Sequence, residues 1–129
     1  MKATSKSPLL FGLSALLGAL IWLLSPVLTG QREAWDASPS YYYSALVVAG
    51  FVPACLSARR FWLWAAGAWV GQLVGFAVLL VRSDGAGPLW PLGLAFLCFY
   101  SLLSVAGAGL GAGIHLIIRR FLAHSTNVA

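Results

Sequence analysis

Hydrophobic positions along this chain gather into four long runs, Pro8 to Thr29, Tyr41 to Ala58, Phe61 to Val81 and Pro88 to Ile118, parted by segments that hold nearly all the charge. An α-helix rises about 1.5 Å per residue and needs roughly 20 residues to cross a hydrocarbon core of about 30 Å, so each run predicts one crossing. The pattern therefore predicts an all-α membrane protein, a single domain of four transmembrane helices. The second run is the shortest and contains Pro53, which predicts a kink or an early end there. The fourth is too long for a straight crossing, and Pro88 and Pro91 are expected to mark its first turn.

Composition removes the soluble alternative. Of 129 residues, 60% are hydrophobic and 9% charged, where a soluble domain carries about 25% charged residues to hold its surface in water. The net charge of +5 would in a soluble domain point to nucleic acid. Here the charges are too few and too scattered to track a phosphate backbone, so no nucleic-acid partner is expected and the charge is read by position. Lys2, Lys6, Arg59, Arg60, Arg119 and Arg120 fall on one side of a four-span layout. Arg32, Arg82, Glu33, Asp36 and Asp84 fall on the other. Segments rich in Lys and Arg stay in the cytoplasm, so both termini are expected to be cytoplasmic. Trp35, Tyr41, Tyr42, Tyr43 and Trp90 then lie near the outer interface, Phe61, Trp62, Trp64 and Phe121 near the inner one, and Trp22 and Trp69 deeper. Lys2 and Lys6 ahead of Leu9 to Leu24 also look like a secretory signal. That apolar stretch exceeds a signal core of about 7 to 15 residues and Ser25 to Gly30 offers no small-x-small cleavage site, so the helix is expected to be retained.

Helices in lipid approach one another where small residues thin their surfaces. Gly67, Gly71 and Gly75 make a smooth strip down the third span. Gly107 with Gly111, and Gly109 with Gly113, thin the fourth on two nearly opposite sides, so that helix is expected to touch neighbours on both. Ser14 and Gly18 give the first span a weaker pair. These glycines read as close packing, with a hinge or pore lining as the functional alternative. One of the two thin sides of the fourth span is available to a partner chain.

Chemistry is mostly excluded. Cys55 and Cys98 lie within spans with no C-x-x-C, which argues against thiol oxidoreduction and for buried small hydrophobes. His115 and His124 would point about 180° apart on one helix, roughly 13 Å apart along it, too far to grip one haem or metal; an interfacial contact is expected for His115. Neither a cofactor nor a metal is expected. All three acids lie outside the spans, whereas proton-coupled transport uses a carboxylate within the membrane. The first span has Ser14, Gly18 and Ser25 where small multidrug transporters carry a glutamate. Gln72, beside Gly71, is the most polar side chain inside any span; an interhelical hydrogen bond is its common use and a narrow pore its alternative.

The segment from Thr29 to Tyr43 is richer. Glu33 and Asp36, three apart, share one face of a helical turn, with Arg32 beside them and Trp35 able to lie in the interface. The pair suits a cation, a cationic headgroup or a docking contact; without His, Cys or a second acidic cluster it is a weak enzyme signature. An interfacial turn anchored by Trp and Tyr, with Pro39 opening the second span, is the plain structural use. The Glu33-x-Trp35-Asp36 loop, the aromatics that follow it and the Arg59-Arg60-Phe61-Trp62 turn resemble a set of small four-span bacterial inner-membrane proteins whose loop often reads Glu-Pro-Trp-Asp. Ala34 replaces that proline and makes the loop less rigid. The resemblance implies the topology, a bacterial inner membrane and the loop as the place to look; it implies no activity, substrate or catalytic residue.

The expected function is therefore non-enzymatic: a small polytopic protein acting through helix packing, as a homo-oligomer or as a subunit of a larger membrane complex, with lipid around it. Its packing residues are Gly67, Gly71, Gly75, Gly107, Gly109, Gly111 and Gly113, and its docking or ion-holding element is Glu33, Trp35 and Asp36. A homo-oligomeric channel or small-solute transporter, motivated by Gln72 and the third-span glycine strip, is the alternative. An outer-face lipid enzyme using Glu33 or Asp36 comes third.

Overall fold

A computed structural model describes residues 6–31, 33–34, 36, 38–82 and 89–126. Five helices follow one another: α1 (Lys6–Thr29), α2 (Pro39–Leu56), α3 (Phe61–Arg82), α4 (Trp90–Tyr100) and α5 (Leu102–Thr126). No strand is present among the described residues. α4 and α5 run on as one apolar stretch, Trp90–Ser125, so four segments are long and apolar enough to cross a membrane. All four expected crossings are thus helical. α2 starts at Pro39, which has no N–H to lose at a first helical turn, and stops at Leu56, three residues after Pro53. Pro53 stands inside the helix rather than ending it at once.

The long fourth run is interrupted not by its prolines but at Ser101. Pro91 does sit in the first turn of α4; Pro88 falls outside the described residues. At Ser101 the hydroxyl donates to the Leu97 carbonyl at 2.7 Å, and the Ser104 hydroxyl and backbone N–H both donate back to the Ser101 carbonyl at 2.6 and 3.0 Å. Serine hydroxyls that bond the preceding turn compete with the regular ladder and bend helices.

Two parallel pairs make the bundle: α1 lies along α3, and α2 along α5. The α3 strip explains the first. Gly67, Gly71 and Gly75 meet Phe11, Ala15 and Ala19 in turn, and a Cβ at Gly71 would overlap the Ala15 carbonyl. α1 answers with Gly18 against the Ala68 carbonyl. The second pair repeats the arrangement, with Gly107 on the Val47 carbonyl, Gly111 on that of Phe51, and Gly50 of α2 facing Ser104. One turn further His115 takes the next position, its Nδ1 2.7 Å from the Cys55 carbonyl. A carbonyl only accepts, so Nδ1 carries the proton. Contacts this close allow Cα–H to point at carbonyl oxygen, each worth about 0.5–1 kcal/mol.

The fourth span uses only one of its two thin sides within the chain. A Cβ at Gly109 or Gly113 would meet nothing within 4 Å, so within one chain the contact is made on the Gly107 and Gly111 side. The first span's pair is stronger than expected: Ser14 and Gly18 are both buried, and the Ser14 hydroxyl donates to the Trp64 carbonyl. The same hydroxyl lies 3.4 Å from the Ala49 carbonyl, whose usual helical donor is missing because Pro53 has no N–H.

Candidate functional site

Three consecutive tyrosines open α2, and successive helical residues point about 100° apart. Each reaches a different helix. Tyr41 Oη donates to the Ile21 carbonyl of α1 at 2.9 Å, Tyr42 Oη to Gln72 Oε1 of α3 at 3.0 Å, and Tyr43 Oη faces Tyr100 Oη of α4 at 3.4 Å. The charge and aromatic pattern puts all three near the outer interface. Tyr42 is instead buried, edge-on to Trp22 and Tyr100 with ring centroids 6.3 and 5.7 Å away.

Gln72 is the centre of this arrangement and is 0% exposed. Its Oε1 accepts from Tyr42, and its Nε2 donates to Ser101 Oγ at 3.0 Å. The Ser101 hydroxyl in turn donates to the Leu97 carbonyl, so the chain of bonds ends on a carbonyl one turn before the point where the fourth helix breaks. Both ends of the amide are occupied, which matches the interhelical use of Gln72. The Gly67, Gly71 and Gly75 strip is filled by α1. The sequence showed that Gln72 was polar and interior. Nothing in the sequence marks Tyr42 and Ser101, near the middle of the fourth apolar run, as its partners.

This network also fixes a depth. Beyond it α3 continues ten residues to Arg82 and α4 eleven to Trp90, about 15 Å each, and α1 eight beyond Ile21, about 12 Å. α2 begins only three residues above Tyr42, about 4.5 Å. The described residues between Thr29 and Pro39 therefore lie back toward the network, where Ala34 joins the core. Gly30, at φ 72°, makes the reversal and donates to the Pro26 carbonyl at 3.2 Å. Ser25, buried inside α1, holds the chain just past the helix by donating to the Gln31 carbonyl at 3.0 Å.

Ala34 is the unexpected member. It is 0% exposed and belongs to the core cluster with Ile21, Trp22, Tyr42, Leu46 and Phe76. On either side of it Glu33 and Asp36 are exposed, joined by a backbone hydrogen bond of 3.1 Å from Asp36 N–H to the Glu33 carbonyl. The two acids thus share one turn, as their spacing implied, anchored by a buried methyl. Arg32 and Trp35 lie outside the described residues. No cluster of three or more His, Cys, Asp or Glu side chains suited to a metal exists among the described residues. An Ala34→Leu substitution overfills a closed position, at a cost of about 1–3 kcal/mol. Limited proteolysis of the Gln31–Ser38 segment should accelerate in that variant by about tenfold or more.

The remaining candidates separate. His115 bonds within the bundle while His124 lies exposed on the last turns of α5. Cys55 is half-buried, but Cys98 faces outward, which corrects the expectation of two buried thiols. An apolar recess of about 380 Å³ lies beside the tyrosines, lined by Tyr43, Phe99, Tyr100, Leu102 and Leu103. Comparison with known proteins gave no match among family models, curated proteins or solved structures.

Proposed function

We propose that this four-helix membrane protein acts without catalysis, by assembling through the outer side of its fourth span into a homo-oligomer or onto other membrane subunits. The observation behind this is the asymmetry of the α5 glycines. Gly107 and Gly111 are consumed by α2, while Gly109 and Gly113, on the nearly opposite side, leave backbone open to the surroundings. Gly in the middle of a helix costs about 0.5–1 kcal/mol relative to Ala, and the inner pair accounts for that cost by close packing. The outer pair has no such use inside the chain. In lipid, a helix face of this kind is where another helix approaches.

The acidic turn at Glu33 and Asp36 is the docking element in this proposal, presented by a loop anchored at Ala34. The basic end, with Arg59, Arg60, Arg119 and Arg120, lies in the cytoplasm of a bacterial inner membrane by the distribution of charge and by the resemblance of the loop and basic-aromatic turn. Gln72 and the α3 glycines serve the internal fold, so the alternative of a pore through one copy has less support than assembly.

The test is disulfide trapping in native membranes. With Cys55 and Cys98 replaced by serine, Gly109→Cys should give a crosslinked dimer under mild oxidation, whereas Leu110→Cys, about 100° round the helix, should not. Gly109→Ile should lower the assembled fraction by about tenfold in sedimentation. If Gly109→Cys stays monomeric and affinity capture from native membranes retains no other subunit, the proposal fails.

A further inference from the structure

The bundle ends on its basic side where α2 stops, at Leu56, and where His115 bonds Cys55. α5 continues past this level to Thr126, about 16 Å further. Every described side chain from Leu116 to Ser125 is exposed. Round this overhang Ile117, Ile118, Phe121 and Leu122 occupy one arc, and Arg119, Arg120 and His124 the rest. Where the arcs meet, Ile117, Arg120, Phe121 and His124 line a recess of about 430 Å³. Their spacing puts all four on one helix face, alternating an apolar body with a cationic or polar tip.

We infer that this recess holds an anionic phospholipid of the adjacent leaflet, with the phosphate at Arg120 and His124 and the first acyl carbons against Ile117 and Phe121. Charge complementarity supports it. Arg59, Arg60, Arg119 and Arg120 gather at this end, and no side-chain carboxylate does: Glu33 and Asp36 sit in the connection at the far end, and Asp84 falls between α3 and α4 in the sequence. Arg120 therefore has no acidic side chain of its own chain nearby to neutralise it. An arginine fork matches a phosphate, and its stem lies along apolar surface while the charge stays at headgroup level. The overhang carries both halves of that recognition at the depth where a headgroup meets its chains. This holds whichever side of the membrane the basic end faces.

The experiment uses the full-length protein in mild detergent and native mass spectrometry to count retained phosphatidylglycerol against phosphatidylcholine of matched chains. Phosphatidylglycerol should be retained at least fivefold better. Arg120→Gln should reduce its apparent affinity about fivefold, the effect of one basic residue at a charged membrane surface. Arg119→Gln removes the same charge from outside the recess and should change it less than twofold. Equal losses in the two variants would show general surface attraction and overturn the site. So would equal retention of the two lipids, or displacement of phosphatidylglycerol by about 10 mM inorganic phosphate, which would make it a free-anion site.

Discussion

Replacing Gly71 with leucine should prevent α1 and α3 from closing. The new side chain begins where the Ala15 carbonyl already stands, and that obstacle is backbone, not the flexible end of a side chain. Overpacking costs about 1–3 kcal/mol in cores that can adjust. A backbone overlap in the middle of a continuous glycine contact belongs at or above the top of that range, about 3 kcal/mol. Unfolding followed in mixed micelles of rising sodium dodecyl sulfate should show the loss directly, and the variant should elute as aggregate on size exclusion. Gly109→Ala supplies the contrast. Nothing lies near its Cβ, and alanine is the better helix former by about 1 kcal/mol, so the folding stability of the monomer should be unchanged or raised. An equal loss in both variants would mean that helix flexibility, and not the α1 contact, is what Gly71 provides.

Gln72→Leu is expected to be the most disruptive polar substitution. Leucine fills much of the volume but leaves the Tyr42 hydroxyl facing apolar groups, and it removes the donor to Ser101. An orphaned buried hydroxyl costs about 1–3 kcal/mol, while interhelical hydrogen bonds measured in membranes average about 0.6 and reach about 1.7 kcal/mol. The expected destabilisation is about 1–2 kcal/mol in the same unfolding assay. Tyr42→Phe alone should cost about as much, by stranding Gln72 Oε1. Combining the two removes both stranded groups, so the double variant should fall short of the sum by about 1 kcal/mol. Strict additivity would show that the two side chains contribute independently, and the Tyr42–Gln72 bond would then hold nothing.

The helices were readable because lipid imposes a length and a composition on anything that crosses it, and the four apolar runs meet both. The α3 glycine strip was readable as a thin face, since four-residue spacing fixes which residues stack. Its partner was not, because Phe11, Ala15 and Ala19 contribute carbonyl oxygens that every residue possesses. For the same reason the second pair, built on the Val47 and Phe51 carbonyls, left no mark in the side chains of α2 beyond Gly50. The break at Ser101 has no signal in residue type, since no proline or glycine stands there. A serine reveals a bend only when its hydroxyl is seen to bond the turn before it. At the candidate site the acidic turn was legible from spacing alone, while Ala34 was not: an alanine reads as filler, and its burial depends on the different heights at which α1 and α2 end. The three tyrosines show the limit of a compositional rule. Aromatics do favour membrane interfaces, yet Tyr42 is drawn inward by an amide thirty residues later in the chain.

The pairing of α1 with α3 and of α2 with α5 has a consequence for how the molecule is made. Neither helical hairpin contains its own main contact. At a synthesis rate of about 5–20 residues per second, the residues after Leu56 take roughly 4–15 s to appear. Gly18 lacks its partner until α3 is made, early in that interval, and Gly50 lacks its own until α5 follows. Any other copy of the chain whose second hairpin is already inserted displays those helices ready-formed. Neighbouring ribosomes on one message would place such copies side by side, and an exchange of hairpins between chains reproduces every glycine contact described above.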